Sequence, residues 1–228
     1  MIILGALTSL SLPPYNYLFV NFITIGLFFI FIFKKKSSTR KKYSFLYGWL
    51  FGFGYFLTNI YWITISLTFE ENFNFLIPIA LVVIPAFLAL FYGIATFFFY
   101  VINLKDVLSS FFLFSLLFGL TEYIRGTVLT GFPWNLIIYS FSENLNFISF
   151  LSVVGTYSLN LLIVSFFTLP AIYILRKSKK EIIVSIILLL FPILLLTYSG
   201  SYKKFFLSKQ LKENPYTIRI ISSNISLD

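Results

Sequence analysis

Seven long apolar stretches, separated by short polar or basic ones, leave this chain few folds to choose from. They run Met1–Leu12, Tyr17–Phe33, Tyr43–Leu67, Phe75–Leu104, Val107–Ile124, Phe147–Leu175 and Ile182–Ser199. A helix needs roughly 20 apolar residues, fewer or more with tilt, to cross the hydrocarbon core of a bilayer. The last six stretches meet that requirement. The first would reach only about 18 Å as a helix, and Pro13-Pro14 then breaks it, so a partial span is expected there. A cleaved signal peptide fits poorly, because no basic region precedes the stretch and no small-residue cleavage site follows. Only 11% of the residues are charged and mean hydropathy is +0.93, whereas a soluble domain carries about a quarter charged residues. So little polar surface cannot cover a water-facing exterior. The expected fold is an all-α membrane bundle of about seven transmembrane helices.

Orientation follows from the basic residues, which concentrate in cytoplasmic loops. The loop after the second stretch carries Lys34, Lys35, Lys36, Arg40, Lys41 and Lys42. Lys105 follows the fourth stretch, and Arg176, Lys177, Lys179 and Lys180 follow the sixth. The opposite loops hold Arg125 alone among basic residues, beside Glu70, Glu71, Glu122 and Glu143. The N-terminus is therefore expected in the cytoplasm and the C-terminus outside it. Topology and attraction to anionic lipid account for the basic loops, so no nucleic-acid partner is expected.

Two absences narrow the chemistry. The chain has neither Cys nor His. It can form no disulfide, thiolate metal site or cysteine nucleophile within these residues, and it lacks the usual general base near neutral pH. No metal and no cofactor are expected. After Gly200 the character changes. Residues 201–216 are polar, and Thr217–Ile225 is rich in β-branched residues and reads as a strand. Residues 1–200 are thus taken as the helical bundle, and 201–228 as a linker and the opening strand of a second, non-membrane domain.

The densest polar region lies at the outer end of the fifth stretch, Thr121 to Ser140. Glu122 and Arg125 stand at i and i+3, share a helix face and can pair. Ionisable groups at membrane depth are costly and often functional, although a simple ion pair at a helix end explains them equally well. Gly131-Phe-Pro-Trp134 reads as a turn with two aromatics, either an interfacial anchor or the lip of a lipid pocket. Asn59, Tyr61 and Trp62 allow the same two readings. Gly48, Gly52 and Gly54 include a Gly-x-x-x-Gly spacing that favours close helix packing.

Taken in order, these segments resemble the apolipoprotein N-acyltransferase family of bacterial inner-membrane enzymes. The likeness rests on Ser11-Leu-Pro-Pro-Tyr15, on Gly48 to Gly54 continuing to Asn59 and Trp62, and on Glu122-Tyr-Ile-Arg-Gly126 with Leu129 to Trp134 and Tyr139-Ser140. Gly155 to Asn160 fits the start of the family's sixth helix, and Ile218 to Ile225 the first strand of its periplasmic nitrilase-like domain. The resemblance implies transfer of an acyl chain from a phospholipid donor to the amino terminus of a diacylglyceryl apolipoprotein, in lipoprotein maturation at the inner membrane. The family's Glu-Lys-Cys triad lies in that nitrilase-like domain, which these residues are expected only to begin, so no catalytic residue carries over. The resemblance implies a lipid-binding role for Glu122, Arg125, Phe132, Pro133 and Trp134, with Asn59 and Trp62 nearby. Arg125 is expected to meet either a phosphate or Glu122. Two other readings stay open at this point: a lipid-binding or transporter-like membrane protein, and the product of a decayed gene.

Overall fold

The computed structural model describes residues 1–36, 40–128, 131–176, 178–190 and 197–198. They include the α-helices α1 (Ile2–Thr8), α2 (Val20–Lys35), α3 (Lys41–Ile60), α4 (Ile77–Ile102), α5 (Val107–Thr127), α6 (Leu145–Ile148), α7 (Leu151–Val154) and α8 (Thr156–Leu175). Residues 179–190 are helical as well. Four helical segments among the described residues are long and apolar enough to cross a membrane: Lys41–Phe69, Asn72–Ile102, Val107–Thr127 and Thr156–Leu175.

The departures from seven spans have local causes. The first stretch gives only a short apolar helix, Ile2–Ser11. The second, α2, has 16 residues and reaches about 24 Å. The sixth stretch is cut at Gly155, whose φ of 81° no ordinary helical residue adopts, so only Thr156–Leu175 forms a continuous helix. The seventh is described only in part, and the strand expected at Thr217–Ile225 lies outside the described residues. The third stretch changes type partway. Beyond Ile60 the chain tightens into a 3-10 helix, Tyr61–Phe69. There Thr64, Ser66 and Thr68 each donate a hydroxyl to the carbonyl three residues back, each at 2.7 Å. Such side-chain bonds compete with regular α-helical geometry.

Small residues set how closely the helices meet. A Cβ on Gly48 of α3 would lie 2.1 Å from Thr96 Oγ1 and 2.3 Å from the Tyr92 carbonyl oxygen of α4, so the two backbones touch there. Gly52 faces Ala89 and Tyr92 in the same seam. The glycine spacing in α3 thus serves packing. Where α1 crosses α3, Gly5 abuts the Phe51 carbonyl and Gly54 abuts that of Ile2. The core between α2, α3, α4 and α5 is aromatic: Phe28 stacks on Phe51 at 4.1 Å, and Phe114 and Phe118 meet Phe28 edge-on. Tyr92 caps this cluster at 5.1 Å from Phe118.

At the basic end, Lys36 is buried and ties three elements together. Its ammonium donates to the Leu104 carbonyl oxygen and, at 3.0 Å, to Ser110 Oγ, and it lies 3.9 Å from the Phe33 ring centre. Asp106 caps α5 there by accepting from the Ser109 backbone N–H at 2.9 Å. Those backbone bonds hold its carboxyl below the usual carboxylate range. At the opposite end, Tyr157 of α8 packs edge-on against Tyr123 of α5 at 5.3 Å, so α5 and α8 run antiparallel.

Gly48→Ala should cost about 1–3 kcal/mol through overpacking, read as a lower Tm in detergent. Gly26→Ala, whose Cβ would meet nothing nearer than 3.9 Å, should hold or raise Tm. Equal responses at the two positions would contradict this account of the seam.

Candidate functional site

The site is built at the C-terminal end of α5, opposite the basic loops, where a helix in apolar surroundings carries an acidic and a basic residue one turn apart. Glu122 is 2% exposed and Arg125 1%. Arg125 Nε donates to Glu122 Oε2 at 2.8 Å, and its Nη2 reaches the same oxygen. The second carboxylate oxygen accepts from the Tyr92 hydroxyl of α4 at 2.6 Å. Each charge therefore faces an opposite charge or a strong donor, the condition under which an ion pair survives burial.

The guanidinium does more than neutralise the carboxylate. Nη1 donates to the Phe132 carbonyl oxygen at 2.6 Å and Nη2 to that of Trp134 at 3.0 Å. The backbone returns the contact, since the Phe132 N–H donates to the Arg125 carbonyl oxygen at 3.0 Å. Arg125 thus pins both ends of the Phe132-Pro133-Trp134 turn to the end of α5. Its carbon centre also lies 5.1 Å from the Phe56 ring centre of α3, a distance at which cation and ring attract. The turn has the backbone its residues favour. Gly131 has φ 78° and Asn135 has φ 57°, the left-handed region open to Gly and tolerated by Asn. A Cβ at Gly131 would also lie 2.3 Å from the Gly126 carbonyl oxygen. Tyr55 of α3 donates its hydroxyl to the Asn135 carbonyl oxygen at 2.7 Å, holding the far side of the turn.

What the turn presents is Trp134. Its ring stacks on Trp62 at 5.0 Å with 15° between planes, and lies 5.7 Å from the Phe132 ring. Trp62 comes from the 3-10 segment after α3, so the stack joins two loops otherwise far apart in sequence. Trp134 stays 50% exposed and Trp62 40%. Both line an apolar groove of about 510 Å³ with Ile63, Ile65, Phe69 and Phe132. Beneath it, on the buried side of Glu122, a second cavity of about 20 Å³ lies among Phe28, Phe51, Tyr92 and Phe118. A volume of that order holds about one water molecule.

Of the residues singled out by sequence, the structure gathers Glu122, Arg125, Phe132, Trp134 and Trp62 in one cluster. Pro133 is exposed at the apex of the turn. Asn59 stands apart from these bonds, its Nδ2 donating at 3.0 Å to the Tyr55 carbonyl oxygen of its own helix. Glu122, one of the two partners expected for Arg125, is in contact with it. Tyr92 and Tyr55 went unrecognised in sequence, since a Tyr within an apolar run carries no signal of its distant partner. A separate contact ties the early proline turn to the loop before α6: Asn16 Nδ2 donates to Glu143 Oε1 at 2.7 Å.

Arg125→Ala should destabilise the chain by about 3–5 kcal/mol, the cost of stranding a buried carboxylate. Arg125→Lys should recover little, because a compact ammonium cannot span the separate positions of the carboxylate and two carbonyls that the planar guanidinium fork bridges. Chemical unfolding in detergent reads both. Near-complete rescue by Lys would contradict the forked role.

Residues 4–169 match the profile of the apolipoprotein N-acyltransferase N-terminal domain. The apolipoprotein N-acyltransferase of Rhodopseudomonas palustris is 37% identical over 175 residues, 75% of this chain and 32% of that protein. Those of Rhizobium etli and Rickettsia bellii are 31% and 34% identical over 77% and 72% of this chain. The chain spans about a third of the length of the curated relatives it matches.

Proposed function

The chain belongs to the apolipoprotein N-acyltransferase family, and from that premise we propose that it forms the membrane portion of such an acyltransferase, receiving lipid substrates at the Trp62–Trp134 groove. The reaction so implied moves an acyl chain from a phospholipid to the α-amine of a diacylglyceryl apolipoprotein. A thiolate attacks the phospholipid ester carbonyl and expels a lysophospholipid, leaving a thioester. The lipoprotein amine then attacks that thioester, forms the amide and releases the thiol. These 228 residues hold no Cys, so the nucleophile must come from a catalytic domain on other residues. By themselves these residues do not perform the transfer.

The observation that carries this reading is the fixed aromatic platform. Two half-exposed indoles, held by a buried ion pair through backbone carbonyls, line an apolar groove at the end of the bundle opposite the basic loops. Indole rings favour the zone between lipid and headgroup, and a rigid platform at that depth orients an acyl ester before it reacts. In this scheme Trp62, Phe132, Pro133 and Trp134 contact lipid. Glu122 and Arg125 position them, and Asn59 steadies the end of α3. The same scheme puts the chain in the inner membrane, N-terminus cytoplasmic and C-terminus periplasmic.

The test is a fusion of this chain to the remaining portion of the Rhodopseudomonas palustris relative, in cells depleted of their own acyltransferase. N-acylation of a reporter lipoprotein should be restored by the fusion and not by the chain alone. Trp134→Ala should lower it by about tenfold, on the scale of lost substrate orientation. Full activity in the Trp134→Ala fusion would remove the platform from the reaction. In the same cells a membrane-impermeant maleimide should label Glu143→Cys and spare Ser38→Cys; the reverse pattern would invert the orientation.

A further inference from the structure

The basic end of the bundle carries a second groove that acyl transfer at the outer end does not use. It holds about 570 Å³ between α1 and α2 and is lined by Leu4, Leu7, Leu27 and Phe31, with Lys34 and Lys35 at one end. That volume falls in the range of roughly 300–1,000 Å³ usual for ligand pockets. It exists because α1 is short and crosses α3 at a fixed point. Gly5 and Gly54 bring the two backbones together at the level of Phe51, which is also the level of Phe28 through their stack. α1 begins one turn before that crossing, whereas α2 runs almost two turns past Phe28 to Lys35. The final turns of α2 therefore extend beyond α1 and present an apolar flank that ends in two exposed lysines.

We infer that this groove binds an anionic phospholipid of the leaflet on the basic side, with an acyl chain along Leu7, Leu27 and Phe31 and the headgroup phosphate at Lys34 and Lys35. Charge complementarity selects the occupant. A zwitterionic lipid would fill the apolar part equally well but gains less from two ammonium groups at the headgroup. Lysines in the last turn of a helix also complement its dipole, which explains their presence on α2 without explaining the groove that leads to them. Their neighbour Lys36 has a different task, since it turns inward to the Leu104 carbonyl and Ser110. Lys41 and Lys42, also exposed, belong to α3 and do not line the groove. One basic loop thus contains two lysines at the groove, one structural lysine and two that provide a control.

Native mass spectrometry of the detergent-solubilised full chain tests this, with phosphatidylglycerol and phosphatidylethanolamine as probes. Phosphatidylglycerol should be retained in preference. Lys34→Gln with Lys35→Gln should weaken its retention by about fivefold, the scale of two charge-assisted contacts at a wet membrane surface. Lys41→Gln with Lys42→Gln should leave it unchanged. Leu7→Trp, at a half-exposed position, should fill the groove and release the lipid with both lysines intact. Equal loss from the two lysine pairs would reduce the effect to diffuse attraction and overturn the inference. Retention of phosphatidylglycerol by Leu7→Trp, or equal retention of the two lipids by the unaltered chain, would overturn it as well.

Discussion

Everything at the end of this bundle opposite the basic loops depends on one buried ion pair. Burying a carboxylate and a guanidinium costs several kcal/mol for each ion, and the surroundings of Glu122 and Arg125 are otherwise aromatic and apolar. The pair persists because both carboxylate oxygens and all three guanidinium nitrogens have hydrogen-bond partners. The carboxylate accepts from Arg125 on one oxygen and from Tyr92 on the other, and the guanidinium spends its remaining reach on the Phe132 and Trp134 carbonyl oxygens. A planar fork of donors is needed for that set of directions, which is why the base is Arg and not Lys. The same geometry joins α4, α5 and the following turn into one unit.

That unit converts a flexible stretch into a rigid one. Residues 131–135 would have little to hold them, because Pro133 offers no N–H and Gly131 adds conformational freedom. Three hydrogen bonds to backbone carbonyls, two from Arg125 and one from Tyr55, supply the order. Trp134 is then delivered to Trp62 in a stacked pair. Trp62 is itself set by the tightening of α3 into a 3-10 helix, driven by hydroxyls at 64, 66 and 68 that occupy backbone carbonyls. Two unrelated local effects therefore converge on one exposed aromatic surface beside an open groove. At the other end Lys36 joins α2, α4 and α5 in a comparable way. The bundle is thus tied at both membrane faces while its lipid-facing sides stay apolar.

Much of this is legible in the sequence, and the reasons it stops being legible are physical. The fourth and fifth apolar stretches emerge as α4 and α5 within a few residues, because length and hydropathy alone decide a span. The Glu122–Arg125 pair follows from helical spacing, and the seam at Gly48 and Gly52 from a small-residue repeat. Other features depend on tertiary contacts that no local pattern announces. Tyr92 stands 30 positions before Glu122, and an apolar stretch that carries both Tyr92 and Tyr100 gives no sign of which one has a distant partner. The Trp62–Trp134 stack joins loops 72 residues apart in number. The sixth stretch reads as a single span because it carries no charged residue, yet Gly155 interrupts the helix. The full count of seven spans and the terminal strand depend partly on residues beyond those described.

The ion pair holds Trp134 against Trp62, and fluorine NMR reads that dependence at the two rings themselves. The chain has three tryptophans, Trp49, Trp62 and Trp134, so 5-fluorotryptophan gives three resonances that single Trp→Phe changes can assign. Replacing Arg125 with Met in a folded sample should shift and broaden the Trp62 and Trp134 signals together. Trp49 is bonded at 3.0 Å to the Ala86 carbonyl oxygen in the α3–α4 seam and should stay in place. If Trp62 and Trp134 hold their positions and widths without the guanidinium, the ion pair is not what fixes the platform.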